Sequence, residues 1–382
     1  MPGLWRLCYH RLPGKIQSEY TVRDLCTVRA LVATALLTGV TIPTPEADAQ
    51  TIRQYQLEPG SSGLELEMHE VAQPTPGPNE VLVRVRAVSL NHRDLSLLSR
   101  RAASGRVPTS DGAGEVIAIG REVTQFAVGD RVAGTFFANW PSGRRTREAM
   151  ATARGGGVDG MLAEMVVSHE NGLVAIPGYL SFEEAATLPC AAVTAWRALF
   201  TDGGLQAGDT VLLEGTGGVS IFGLQLAVAA GAIPIITSSS DAKLERARAL
   251  GAVGTVNYRS NPEWQEAVLA FTDGAGVDHV LEVGGQETLP RAVEALAFDG
   301  HIAIIGGLSG RAAALPLRPL PNGSSVTNIY VGSREDFEAM NEFLTKHQLH
   351  PVIDRVFSFE EAPAAYEYMD SGAHMGKIVI TL

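Results

Sequence analysis

From Tyr55 onward the chain is written in short segments where apolar and polar residues alternate. In EVLVRVRAV, Glu80–Val88, the side chains of Val81, Val83 and Val85 fall on one face and Arg84 and Arg86 on the other. That period of two is the mark of a half-buried strand. The turn cluster PTPGPNE stands just before it, and GAGEVIAIG (Gly112–Gly120) and FAVGDRVAG (Phe126–Gly134) give two more strand-and-turn units. With Tyr55 opening the first strand, residues 50–176 are expected to form a β-rich domain. Within it, Asn139–Gly160 carries glycine and arginine without a strand period and predicts a surface lobe.

After Pro177 the period changes. Thr210–Leu213 is an apolar run, followed by a glycine-rich turn and a helical pattern over Val219–Ala230. Ile233–Thr237 is the next run, and the helix after it sets Lys243, Arg246 and Arg248 on its wet side. Val277–Leu281 and His301–Ile305 repeat the theme, each after a helical stretch. Continuous apolar strands alternating with helices predict an α/β domain, residues 177–332, with a parallel sheet covered on both faces.

Composition narrows the function. At 382 residues the chain exceeds one ordinary core, and 45% hydrophobic with 19% charged residues is globular. A formal charge of −12 argues against a nucleic-acid partner, and the one small basic patch, Arg144-Arg145 with Arg147, lies among Gly and Pro. Three cysteines, Cys8, Cys26 and Cys190, make neither a disulfide framework nor a four-thiolate zinc site.

Residues 1–49 look like an address. ALVATALLTGV (Ala30–Val40) follows Arg23 and Arg29, and a polar stretch then ends in Ala47-Asp48-Ala49. Basic region, short apolar run and small-x-small site describe a secretory signal, cleaved before Gln50. The run falls well short of the ~20 apolar residues that span a bilayer, so no membrane partner is expected. A working signal implies a periplasmic or secreted protein; an uncleaved or disordered extension, or a docked helix, implies a cytoplasmic one.

The chemistry begins at TVLLEGTGGVSIFGLQLAVAAGA, where Gly215-Thr216-Gly217-Gly218 joins an apolar strand to a helix. Gly215 permits a tight turn, Gly217 lets a diphosphate approach the backbone, and the helix start at Gly218 and Val219 offers free N–H groups. The third fingerprint position is Ser220 in place of glycine, a departure expected to loosen helix–strand packing slightly. An acid that would hold an NAD ribose is expected about 20 residues on, but Ser238 stands there, in TSSSDAK. Hydroxyls at Ser238, Ser239 and Ser240 and the Lys243 ammonium suit a 2′-phosphate, which favours NADP(H) over NAD(H). Asp241 sits where a helix N-cap belongs.

These residues, with SLNHRDL (Ser89–Leu95), SDGAGEV (Ser110–Val116), LPCAAVTAW (Leu188–Trp196), VGSRED (Val331–Asp336) and HMGKIVI (His374–Ile380), resemble the medium-chain dehydrogenase/reductase superfamily. The chain is nearest its zinc-free alcohol dehydrogenase-like and quinone oxidoreductase-like members, over residues 52–382. The resemblance implies a GroES-like catalytic domain and a Rossmann domain, with residues 333–382 returning to the first, and a homodimer. It places Asn91, Ser110 and Thr194 around the nicotinamide and the substrate oxygen, and His92 at the cofactor diphosphate. It further implies cofactor contacts for Tyr258, Gly306, Gly307, Ser333, Arg334 and Lys377.

The zinc ligands of metal-dependent relatives match Asn91, Ser110 and Cys190, and their nearby glutamate matches Asp111. One thiol with an amide and a hydroxyl does not make a catalytic zinc site, so no zinc is expected. Arg93 stands in place of the relay hydroxyl. The implied activity is hydride transfer between NADP(H) and a small carbonyl, enone or quinone, whose oxygen hydrogen-bond donors can assist. The alternatives are a non-catalytic nucleotide-binding protein on the same fold and a zinc alcohol dehydrogenase. Asn91 holding a loop and Cys190 serving as an inert hydrophobe are the plain readings of those two residues.

Overall fold

The computed structural model describes residues 50–310 and 320–382; the expected signal segment, 1–49, lies outside the described residues. The chain opens with an antiparallel hairpin, β1 (Thr51–Pro59) and β2 (Leu64–Ala72). β1 begins four residues before Tyr55, because Thr51–Gln54 gain partners across the hairpin (Thr51 with Ala72, Gln54 with His69) that no apolar pattern announces. Tyr55 is buried in mid-strand.

β3 (Glu80–Leu90), β4 (Asp111–Ile119), β5 (Arg131–Gly134), β6 (Met165–His169) and β7 (Leu173–Ala175) build the first sheet. Val81, Val83 and Val85 are buried as their alternation requires. The stretch 139–160 departs from the expected surface lobe: Trp140, Ala149, Ala153 and Arg154 are buried. The Arg154 guanidinium donates to the Thr135 and Gly172 carbonyls and to Ser168 Oγ. Burial with no carboxylate partner lowers its pKa to about 10. This segment is irregular because a side chain pins it, which no periodicity reports.

The second sheet is parallel: β8 (Thr210–Leu213), β9 (Ile233–Ser238), β10 (Gly254–Asn257), β11 (Val277–Glu282), β12 (Leu296–Ile304) and β13 (Ser325–Asn328). Its spatial order is β10-β9-β8-β11-β12-β13. This is the doubly wound Rossmann arrangement, in which the order reverses beside β8 and leaves a crevice at the strands' carboxyl ends. β10 and β13, short and partly polar, carry too few apolar residues to read as buried strands from sequence.

β14 (Ile353–Ser358) and β15 (Lys377–Thr381) then return to the first sheet, whose order is β14-β15-β3-β4-β5-β7 with β6 also on β3. β15 runs antiparallel to β3, Ile378 opposite Leu90. This register sets Lys377 beside Asn91. No described helix is long and apolar enough to cross a membrane.

Candidate active site

The glycine loop stands at the carboxyl end of β8. Gly215 has φ +73°, a conformation costly for any residue with a Cβ. Gly217 is extended and caps α2 of this fold, Gly218–Ala230 (α1 being His92–Leu98), and a methyl group there would touch nothing within 4 Å. Open space over a helix N-terminus is what a diphosphate needs. Gly218 answers to packing: a Cβ would lie 2.8 Å from Lys377 Cδ and 3.2 Å from Ala191 Cβ. Gly376 N–H donates to the Thr216 carbonyl at 3.0 Å, tying the returning chain to the loop.

Ser220 does not loosen this corner. It is buried, and its hydroxyl donates to the Glu214 carbonyl at 2.6 Å. The close helix–strand approach falls to Gly223, where a Cβ would meet Leu213 Cδ2 at 2.7 Å and Leu281 Cδ2 at 2.9 Å. Sequence reasoning missed Gly223 because the fingerprint looks three residues earlier. Glu214 itself accepts N–H bonds from Val283 and Gly284, and burial and the neighbouring Glu282 raise its pKa well above the usual carboxylate range.

At the carboxyl end of β9, Ser238 is buried, with its hydroxyl 3.5 Å from that of Thr216. Tyr258 N–H donates to the Ser238 carbonyl, while its ring is exposed. One expectation changes here. The N-cap of α3 (Asp241–Ala249) is Ser240, and Asp241, in the first turn, accepts from Asn257 Nδ2 at 2.7 Å. Lys243 Nζ donates to the Gly372 and His374 carbonyls, 2.9 Å each, tying this helix to the C-terminal loop. The partners of both residues come from elsewhere in the chain, so no local pattern around the helix start announces them.

Asn91, Ser110, Thr194 and Lys377, from three distant stretches of chain, are buried. Lys377 Nζ donates to Asn91 Oδ1 at 2.6 Å and to the Leu90 carbonyl at 2.7 Å, and stands 3.8 Å from Asp111 Oδ2. Ser110 Oγ donates to Asp111 Oδ1 at 2.7 Å, and Cys190 N–H to Asp111 Oδ2 at 3.1 Å. Thr194 Oγ1 donates to the Cys190 carbonyl at 2.6 Å. Burial raises the Asp111 pKa while Lys377 opposes the rise. Burial, aided by Asp111, also pushes the Cys190 thiol far above its ordinary value, so it stays protonated.

Of the three expected catalytic side chains, Ser110 and Thr194 have given their protons to protein acceptors. Asn91 Nδ2 is a buried donor that makes no bond of full hydrogen-bond geometry, though it faces the Asp111 carboxylate and helps to stabilise its charge. The ammonium at Oδ1 fixes which way this amide points. Thr109, just before Ser110, is buried with φ +63°, and Val331 has φ +55°. Two β-branched residues in the left-handed region store strain of about 1–3 kcal/mol each, as binding sites often do.

The remaining positions divide. His92, at the exposed start of α1, is joined by His374, which the sequence reading did not single out. Burial lowers the His374 pKa, and Lys243, Lys377 and His92 add to the effect, a local positive field suited to a diphosphate. Gly306 lies on Val283: a Cβ there would meet the Val283 carbonyl at 2.5 Å. Gly307 borders Gly285, whose own Cβ would meet Gly307 Cα at 2.8 Å. Ser333 caps α4 (Arg334–His347), with Oγ accepting from Asp336 N–H and donating to its carboxylate. Arg334 pairs with Glu338 at 2.8 Å. Both are used by the helix start itself. Val219 begins the same helix as Gly218.

Among the described residues no three His, Cys, Asp or Glu side chains gather as a metal site. A cavity of about 610 Å³ opens beside α1, lined by Arg93, Leu97, Arg100, Ile305 and Tyr330 among others.

Family models for an alcohol dehydrogenase GroES-like domain and a zinc-binding dehydrogenase match residues 77–178 and 218–346. The chain is 43% identical to a zinc-type alcohol dehydrogenase-like protein of Schizosaccharomyces pombe, over 85% of this chain and 96% of that one. It is 33% identical to a quinone oxidoreductase of Pseudomonas aeruginosa, covering 81% and 87%. A solved NAD-dependent alcohol dehydrogenase superposes with a TM-score of 0.77 at 32% identity, covering 87% and 99%. With its two sheets, its dinucleotide cradle and these relatives, the chain belongs to the medium-chain dehydrogenase/reductase superfamily, as an oxidoreductase of the alcohol dehydrogenase-like type.

Proposed function

We propose that this protein is a zinc-independent reductase that uses NADP(H) to reduce a small carbonyl, enone or quinone. The observation that carries the reading is the buried Asn91 amide, with Oδ1 held by the Lys377 ammonium and Nδ2 outside full hydrogen-bond geometry.

The donor set argues against zinc. The positions that match metal ligands hold an amide, a hydroxyl and a protonated thiol, and an ammonium lies 2.6 Å from the amide oxygen. A divalent cation there would meet a fixed positive charge and at most one sulfur ligand, beside an amide and a hydroxyl. The family model's mention of zinc does not extend to these side chains.

When bound, the nicotinamide supplies the hydride. The protein's part is to hold the acceptor and receive the charge that develops on its oxygen. Asn91 Nδ2–H can donate to that oxygen, and Lys377 at Oδ1 polarises the amide and makes it a stronger donor. Lys377 also holds Asn91 in one orientation. Because these side chains are buried, each of these dipoles acts with reduced screening.

For the cofactor, Ser238 at the end of β9 offers a hydroxyl where an NAD enzyme offers an acid. That supports NADP(H). NAD(H) is the second reading, because Lys243 is held by two carbonyls and the solved relative is NAD-dependent.

The test is oxidation of NADPH and NADH against enones, quinones and aldehydes, with zinc measured in protein purified without chelator. We expect NADPH-linked turnover at well under one zinc per chain. Zinc near one per chain, with activity lost on chelation, overturns the reading, and so does cofactor binding without turnover of any acceptor.

A further inference from the structure

The cavity beside α1 has a lining whose charge is opposite to that of the chain. Arg93, Ser96, Leu97 and Arg100 lie at spacings of three and four residues, so one face of α1 and its C-terminal continuation forms one wall. Arg145, Met150, Ile305, Asn328, Ile329 and Tyr330 complete it. Among the described residues, three guanidiniums and no carboxylate line this space, in a chain of net charge −12.

The three cations are held differently. Arg93 lies over the Phe136 ring at 4.7 Å and donates to the Arg154 carbonyl at 2.8 Å. It also stands 3.5 Å from the buried Asp94, the nearest opposing charge. Arg145 donates one nitrogen to the Asn328 carbonyl at 2.8 Å, which leaves the rest of its fork for another acceptor. Arg100 is exposed and makes no side-chain hydrogen bond among the described residues. Leu97, Met150, Ile305 and Ile329 give the same cavity an apolar wall. Ile305 directly precedes Gly306, and Asn91 is the N-cap of α1, so two walls of the cavity are neighbours in the chain of residues placed at the proposed hydride site.

Building on the function proposed above, we infer that the substrate carries an anionic group, a carboxylate or a phosphate, at the end remote from the reduced carbon. Arg100 and Arg145 receive that group, and the apolar wall receives the carbon chain between. Their forked donors match the planar geometry of a carboxylate and the oxygens of a phosphate. A cavity of about 610 Å³ suits a ligand of that size.

The experiment measures binding and turnover separately. Calorimetry on the full chain with NADP⁺ compares 4-oxopentanoate with its methyl ester, and a keto-phosphate of similar length with its neutral alcohol. Steady-state kinetics compare 4-oxo-2-pentenoate with its methyl ester. The acid or the phosphate should bind at least tenfold more tightly than its neutral partner, and the larger ratio names the group. In Arg100→Gln/Arg145→Gln the ratio should shrink to about twofold, with the ester's Kd little changed. Rising salt should narrow the ratio in the same direction. Equal binding of acid and ester, and of phosphate and alcohol, overturns the inference even where the ester is reduced. A preference that survives both substitutions does so as well. If the charged ligand binds selectively and nothing is reduced, the anion site stands and the reductase reading falls.

Discussion

Lys377 Nζ lies 2.6 Å from Asn91 Oδ1, a contact between residues 286 positions apart that β15 creates by pairing with β3. Lys377 is almost wholly buried, and its aliphatic chain lies against Gly218 of the cofactor cradle. One side chain thus links the dinucleotide loop to the proposed donor. Asn91→Leu should lower kcat/KM by roughly 10²–10³-fold, the usual loss for one donor to a developing oxyanion. The NADPH Kd, read by fluorescence titration, should change little. A drop below threefold would remove Asn91 from the chemistry. Lys377→Met should lower kcat and also destabilise the fold by about 3–5 kcal/mol in urea titration, since Asp111 loses its buried cation.

Cofactor choice is expected to turn on Ser238. Ser238→Asp places an acid within reach of the adenosine ribose and should shift preference to NADH by tenfold or more in kcat/KM. The neighbouring Lys243→Ala should weaken both cofactors alike, because Lys243 holds the 372–374 carbonyls. Selective loss of NADPH binding in Lys243→Ala would restore it as a phosphate ligand.

Gly223 separates packing from binding. Gly223→Ala forces a methyl into Leu213 and Leu281, a cost of about 1–3 kcal/mol for overpacking. Thermal or denaturant unfolding should show that loss, with the kinetics of the remaining folded enzyme near normal. Gly217→Ala, which meets no protein atom, should instead leave stability unchanged and weaken cofactor binding.

Asp94 gives the pH dependence. Burial raises its pKa from 3.8 to about 6, against the pull of Arg93. Since the folded value exceeds the unfolded one, the contribution to stability is full below pH 4 and lost as pH rises through about 6, up to about 3 kcal/mol in all. Asp94→Asn can still accept the Asn91 N–H bond and should match the wild type near pH 4 and exceed it at pH 7. Parallel unfolding curves across that range would count against the assignment.

Much of this molecule was legible from local order. The period-2 run at Glu80–Val88, the apolar runs at Thr210, Ile233, Val277 and His301, and the glycine loop are each written within a few consecutive residues. Alternation and strand–turn–helix context are local rules, so they predicted the two sheets and the cradle. The tertiary structure decided what required distant partners. It buried Arg154 inside a segment that reads as surface, assigned Lys243 to a carbonyl pair and Ser333 to a cap, and moved the close-packing role from Ser220 to Gly223. It also set Lys377 against Asn91, fixing the orientation of that buried amide. A side chain's partner depends on which strands meet and in what register, and that is a property of the packed chain as a whole.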